Sequence, residues 1–412
     1  MLVLVVIQAS TAAATAKKTV SMLEWNVAAN RDWQKAVIQR FMAENPDVEV
    51  EIVGLGGIGP GEKVQILMAS GVPLDIGYYD APIIVDWAKQ NLLVDLTPYV
   101  ARENELFSDW LPSSLDLFRV GNGLYGLPAD LQLQGTYYNV DAYLRAGIHL
   151  PDENLSWDDV FTNARKLLIK NPDGTIKQYG YKLPTGRNWL PMIWAWGGDF
   201  LDNYNETTKF TGRDSRVAEA LEYMANLVRL GLVPDKEAQR TNAIKSFTGQ
   251  ESVTLLTNTI VISTFTKDIK DFVWDVAPVP KGPAGRIPYI NAIGMYILST
   301  SKDVDLAWKL LKYFCSPEIM QTKIEQLGLV PPGSRMMQMW ARQITVPEHR
   351  QYVFVDADKA KAPFSILNEF YGPINTEAWA AIWGEKPVWT ALEQMEEQVN
   401  QAIKEYLEAQ KM

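Results

Sequence analysis

Cysteine and histidine are almost missing from this chain. Its 412 residues include one cysteine, Cys315, and two histidines, His149 and His349. A single cysteine excludes an internal disulfide, and Cys315 follows the helix-like apolar pattern of residues 307–314, as a small buried hydrophobe would. Neither histidine has a second metal-ligand type at a recognised spacing, and no G-x-S-x-G elbow or C-x-x-C pair occurs, so hydrolytic triads, zinc sites and cofactors are not expected. Positive charge is also in deficit. Lys and Arg total 39 against 49 Asp and Glu, a net charge of −10, which argues against nucleic acid or anionic lipid as partner because both demand a basic face.

Long apolar runs are lacking too. Residues 1–9 are almost wholly apolar but too few to span a bilayer, and no later run reaches the roughly 20 residues of a transmembrane helix. Small residues 10–16 end in Ala14-Thr15-Ala16 before Lys17 and Lys18, the pattern of a signal peptide and its cleavage site. Residues 1–16 are therefore expected to be a signal-peptide remnant. The basic segment that normally opens such a leader is missing, which leaves open a start further upstream. No cysteine stands just after the leader, so a lipid anchor is not expected.

What is present is globular. With 47% apolar and 21% charged residues, the chain can bury more than one core, and two domains are the natural expectation. Residues 20–25 read as a strand, 31–44 as a helix with Trp33, Val37 and Phe41 on one face, and Val48, Val50 and Ile52 alternate with Glu49 and Glu51 as a second strand. That unit predicts a parallel sheet. Residues 62–70 and 75–79 continue the alternation as helix and strand. It resumes after Asp130 with a strand at 134–139 and helices at 157–170 and 216–230, implying a second sheet. Ser156 and Asp159 fit a capping box, and Leu392, Met395, Val399, Ile403, Tyr406 and Leu407 fall on one helical stripe.

Several constellations invite a chemical reading. Gly54-Leu55-Gly56-Gly57-Ile58-Gly59 matches G-x-G-x-x-G with Asp75 downstream, but Pro60 and Gly61 lengthen the turn where the third glycine of a dinucleotide site must pack inside a helix. A flexible loop is expected instead. Tyr137 and Tyr138 read as the two faces of a strand rather than as metal ligands. Asp80, Asp130 and Asp199, at strand ends or in loops, would suit a glycosidase pair or, equally, a site where carboxylates accept hydrogen bonds from sugar hydroxyls. The chain has 14 tryptophans. Trp25 follows the first strand, and Trp194 and Trp196 precede Gly197-Gly198-Asp199, where flat indole faces could stack on a pyranose.

In order along the chain, Phe41-Met42-Ala43-Glu44-Asn45-Pro46, Ala69-Ser70-Gly71-Val72-Pro73-Leu74-Asp75-Ile76, Gly123-Leu124-Tyr125-Gly126-Leu127-Pro128, Leu155-Ser156-Trp157-Asp158-Asp159, Trp196-Gly197-Gly198-Asp199, Ala277-Pro278-Val279-Pro280-Lys281-Gly282 and Ser316-Pro317-Glu318 make a series. Through it the chain resembles the extracellular solute-binding proteins of family 1. The resemblance implies an α/β, two-lobed periplasmic-binding-protein fold with discontinuous lobes, 17–127 plus 285–334 and 128–284 plus 335–412, and a ligand cleft between them. The crossings would fall near residues 127–128, 282–286 and 331–335. It further implies a monomer that binds a carbohydrate by hinge closure in the periplasm or outside the cell, delivers it to an ABC permease, and catalyses nothing. By position, Trp25, Asp80, Asp130, Gln132, Trp196, Gly198 and Asn291 match loops that line the family's cleft, and Trp194 adjoins them. Around residues 258–261 the family often has a glycine followed by tryptophan. This chain has neither, so Phe265 or Trp379 could supply the stacking face. The rival ligands are a polyol or a glycerol-phosphate-type solute, for which Arg335 is the cation to inspect; a secreted carbohydrate-active enzyme is the rival activity.

Overall fold

The computed structural model describes residues 17–204, 207–361 and 368–409, so the leader at 1–16 lies outside the described residues. Strands β1 (Lys18–Leu23) and β2 (Val48–Val53) pair in parallel, with Val20 opposite Val50. The crossover between them is helix α1 (Ala28–Glu44), which buries the Trp33, Val37 and Phe41 face read from the sequence. In the glycine-rich loop that follows β2, Gly56 and Gly57 take φ of +66° and +85°, conformations that cost other residues dearly. Gly59 then caps α2 (Pro60–Ala69) from outside the helix, with Pro60 in its first turn, so the G-x-G-x-x-G pattern is a turn and not a packed dinucleotide fingerprint. Next come β3 (Ile76–Asp80), α3 (Ala81–Lys89) and the short α4 (Pro112–Asp116).

Strand β4 (Leu127–Asn139) joins the two halves of the molecule. Residues 127–133 pair antiparallel with the late strand β7 (Ile290–Ile297), whereas 134–139 pair with β5 (Thr254–Asn258) and β6 (Trp274–Ala277). The result is one seven-stranded sheet of order β6-β4-β7-β3-β1-β2, with β5 also on β4. This corrects the expectation of two separate sheets, the first of them parallel. At 13 residues and about 3.3 Å per residue, β4 is long enough to leave one lobe and enter the other unbroken, and β7 meets both β3 and β4 antiparallel.

Helices cover the sheet: α5 (Trp157–Leu167), α6 (Leu190–Ala195), α7 (Ser215–Arg229), α8 (Val261–Asp268), α9 (Val304–Phe314), α10 (Pro317–Leu327), α11 (Asn368–Ile382) and α12 (Val388–Ala409). The capping box opens α5 as expected, Asp159 N–H donating to Ser156 Oγ at 3.2 Å and Ser156 N–H to Asp159 Oδ2 at 2.9 Å. The helix stops at Leu167, short of 170, because residues 169–170 pair with 176–178 in a small hairpin. In α12 the stripe Leu392, Met395, Val399 and Ile403 is buried.

Two hydrophobic clusters result. One holds β1 to β3 with Trp33, Phe41, Trp340, Val353 and Ala357; the other holds Trp157, Trp189, Trp194, Leu221, Phe370 and Leu392. Strand β4 feeds both, through Leu131, Leu133 and Tyr137 to the first and Tyr138 to the second. Cys315 is buried in the first, and that burial pushes its thiol well above the ordinary range. Among the described residues no helix is long and apolar enough to cross a membrane.

Candidate functional site

On β4 the residues Asp130, Gln132 and Gln134 share one face by the two-residue period of a strand, while Leu131 and Leu133 turn the other way into the core. In register, Asn291 of β7 lies opposite Gln132, and Ile293 lies between Asp80 and Asp130. The polar face of β4 thereby meets the end of β3. Asn291 Nδ2 donates to Asp80 Oδ1 at 3.2 Å and to Gln132 Oε1 at 3.4 Å. Asp80 directly precedes α3, but its side chain makes no capping hydrogen bond to that helix; its carboxylate instead accepts from Asn291 of β7. Burial pushes the Asp80 carboxyl up, against the opposing pull of the Asn291 hydrogen bond and the Arg187 charge.

The second lobe answers from the loop before α6. Gln134 Nε2 donates to both Asn188 O at 3.1 Å and Asn188 Oδ1 at 2.9 Å, which fixes that loop on the central strand. The adjacent Arg187 guanidinium lies 5.0 Å above the Tyr371 ring of α11, and the Tyr371 hydroxyl donates to Gly186 O. Tyr289 lies close enough to Arg187 and Asp80 for both charges to act on its phenol, which burial pushes up. Three polar atoms of this group are buried without a partner among the described residues: Asn291 Oδ1, Gln134 Oε1 and Arg187 Nε. Two acceptors and a donor left open in one place, drawn from both lobes, suit a ligand rich in hydroxyls.

The family model for bacterial extracellular solute-binding protein matches residues 25–321. The chain belongs to that family. Among relatives of this solute-binding protein, a lactose-binding protein of Rhizobium radiobacter is 23% identical over 295 residues, 69% of this chain and 67% of the relative. Among solved structures, an ABC substrate-binding protein from Listeria monocytogenes in complex with cycloalternan superposes with a TM-score of 0.80 at 20% identity, covering 94% of this chain and 99% of that one. A cyclic alpha-maltosyl-1,6-maltose binding protein from Arthrobacter globiformis gives 0.80 at 21% identity over 95% and 100%. The two-lobed α/β fold expected from the sequence is the fold of these neighbours.

The remaining site residues expected in this binding protein are dispersed. Asp130 stands on the polar face of β4, but its carboxylate is 3.0 Å from Lys323 Nζ, and both side chains are buried. Trp25 is 1% exposed, stacked on Tyr78 at 4.4 Å with the Lys323 ammonium 4.6 Å from its ring. Trp194 is core, its Nε1 donating to Asp199 Oδ1 at 3.2 Å, and Asp199 is ion-paired with Lys361 at 2.8 Å. Trp196 is half-buried, 5.0 Å from Tyr223. At Gly198 a Cβ would meet Val217 Cγ2 at 2.6 Å, so helix packing requires the glycine. Arg335 does not join the cleft: its side chain is 82% exposed and paired with Asp109 at 3.4 Å. Trp379 sits on α11, two turns beyond Tyr371. Phe265 cannot offer a stacking face, because it is fully buried against Phe247 at 4.8 Å. Tyr137 is likewise buried, and burial raises its phenol far above the range of a ligand phenolate. His349, isolated in sequence, meets Asp275 through Nδ1 at 2.5 Å with Glu348 beside it.

The Asp80 geometry gives a prediction with opposed outcomes. Its folded carboxyl is raised above the unfolded value, so above both values the unfolded chain holds the charge more readily and ionised Asp80 costs stability. Asp80→Asn is therefore expected to raise the melting temperature of the ligand-free protein at pH 7 while weakening ligand by about 1.5–3 kcal/mol through the lost charged acceptor. Calorimetric melting beside titration of the ligand checks both signs.

Proposed function

We propose that this solute-binding protein captures an oligosaccharide between its lobes and hands it to an ABC permease. The observation that carries the reading is the row of open hydrogen-bonding groups at Asn291, Gln134 and Arg187, set between Asp80 on one lobe and the Tyr371 ring on the other. A pyranose offers what such a site lacks: hydroxyls that both donate and accept, and an apolar ring face for an aromatic. The lactose-binding relative and the cycloalternan-bound neighbour support sugar over a polyol or phosphate ester. So does Asp80, which would repel a phosphate.

Closure needs a hinge, and three places supply it. We assign the first crossing to Leu133 and Gln134, where β4 exchanges β7 for β5 as partner. The second lies at Tyr289 and Ile290, which pack in different clusters. The third lies at Lys361, bridged to Tyr289. This reading moves the crossings along the chain from the positions expected from sequence, near 127–128, 282–286 and 331–335. Bending at neighbouring points of two adjacent strands lets the lobes rotate without breaking either core.

A thermal-shift screen tests the reading. Ligand at 100 times its Kd should stabilise the protein by about 2.7 kcal/mol, and neutral oligosaccharides should do so where glycerol 3-phosphate and short polyols do not. A shift from the phosphate ester alone would overturn it.

A further inference from the structure

Strand β6 is an edge strand: within the described sheet it pairs with β4 alone. The stretch from Ile344 to Lys361, which leads from the helix Ser334–Gln343 toward α11, packs against it, and His349 N–H donates to Asp275 Oδ1 at 2.9 Å. The same stretch is fastened again further along, where the buried Arg286 guanidinium donates to Asp356 Oδ2 at 3.3 Å and to Glu153 O at 2.7 Å. At the first fastening three ligating side chains meet. Asp275 of β6, Glu348 and His349 bring two carboxylate oxygens and a ring nitrogen within 4.8 Å of one another, and His349 Nδ1 lies 2.5 Å from Asp275 Oδ2. No ligand spacing marks this group in the sequence, because Asp275 precedes His349 by 74 residues.

We propose that Asp275, Glu348 and His349 hold a divalent first-row transition-metal ion that fastens this stretch to β6. Asp275 is only 4% exposed, yet its one ion-pair partner among the described residues is the half-buried His349. A neutral imidazole leaves such a carboxylate uncompensated, and a buried charge without a counter-charge is costly. Glu348 is exposed and has no ion pair or side-chain hydrogen bond among the described residues, so nothing else claims its carboxylate. The surroundings are negative. Burial raises the Tyr138 phenol and the Asp275 charge adds to it; at Tyr352, whose ring stacks on His349 at 5.3 Å, burial is joined by the charges of Glu153, Asp152 and Asp275. Tetrahedral ligands about 2.1 Å from a zinc ion stand about 3.4 Å apart. The ion would therefore enter where Nδ1 and Oδ2 now share a hydrogen and part them by roughly 1 Å, with the ring proton carried on Nε2. One imidazole with two carboxylates suits zinc or cobalt better than magnesium or calcium, which prefer oxygen alone. The group is separate from Asp80 and Asn291: Asp275 pairs with Tyr138, six residues beyond Gln132 along β4, or about 20 Å.

The test is titration calorimetry of the tag-free chain, stripped with chelator, against ZnCl2, CoCl2, MgCl2 and CaCl2, as wild type, Glu348→Gln, His349→Gln and His149→Gln. Zn2+ should bind one ion per chain at micromolar concentration or below and raise the melting temperature, and Co2+ should give the visible absorption of a four-coordinate site. Glu348→Gln and His349→Gln should each weaken Zn2+ by about 10- to 100-fold or more. His149→Gln, at an exposed position before α5, should leave it unchanged. Because Glu348 is exposed, Glu348→Gln tests the site even where His349→Gln loosens the fold. No Zn2+ binding below millimolar concentration, undiminished binding by either ligand variant, or a preference for Mg2+ or Ca2+ would overturn the proposal and leave Asp275 and His349 as a hydrogen-bonded fastening alone.

Discussion

Lys323→Met is expected to destabilise the ligand-free protein by about 3–5 kcal/mol, the usual consequence of removing one partner from a buried ion pair. Lys323 reaches from α10 to the polar face of β4, where its ammonium donates to Asp130 Oδ2 at 3.0 Å and to Ala129 O at 2.9 Å. Two indoles, Trp25 and Trp33, flank it at 4.6 and 5.1 Å. Side-chain exposures of 3% for Lys323 and 5% for Asp130 leave water no route to replace the lost charge. Methionine keeps the apolar stem, so the loss is electrostatic and not a cavity. Adding Asp130→Leu to Lys323→Met should recover much of the stability, because an apolar pair of similar volume carries no desolvation cost. Urea unfolding of the two single variants and the double variant measures the coupling. If Lys323→Met alone unfolds at the wild-type midpoint, the pair is not a support of the α10 and β4 contact.

On binding, Arg187 is expected to matter as much as Asp80. Arg187→Met should cost about 1.5–3 kcal/mol of ligand affinity, roughly 10- to 150-fold, since a charge-assisted donor to the ligand is lost. Its Nε has no described partner in the ligand-free protein, and the methionine stem can still cover Tyr371. Melting of the ligand-free variant should therefore stay close to wild type. Unchanged affinity would remove Arg187 from the site; a collapse of stability would show that the loop from Gly186 to Trp189 is held by the guanidinium rather than by Gln134 and Asn188.

Much of the scaffold was legible because local periodicity fixes it. The Trp33, Val37 and Phe41 face, the alternation through Val48 and Ile52, and the Ser156 and Asp159 box each became the element they predicted. A single sheet was not legible, since the partner exchange along β4 depends on strands more than 100 residues away. Within the site, Asp80, Gln132 and Asn291 were read through family resemblance, and the structure brings them together. Gln134 does carry a local signal: Asp130, Gln132 and Gln134 alternate with leucines, as a polar face on a buried strand must. Arg187 had none, because its loop has no periodicity and is placed by the contact of Asn188 with Gln134. The tryptophans misled for the opposite reason. An indole beside glycine or at a strand end has no local mark of burial, and the groups that enclose Trp25, namely Tyr78 and Lys323, are distant in sequence. Asp130 likewise gave no hint of a partner 193 residues away.

The most direct test is a crystal structure of the protein with the oligosaccharide that binds it best. A sugar ring should lie between Asp80 and Arg187, with hydroxyls on Asn291 Oδ1 and Gln134 Oε1 and a ring face toward Tyr371. The lobes flank a second crevice, of about 510 Å³, between Asp116, Asp199 and Lys361. Sugar bound there, with the Asn291 and Gln134 groups left without it, would contradict the account.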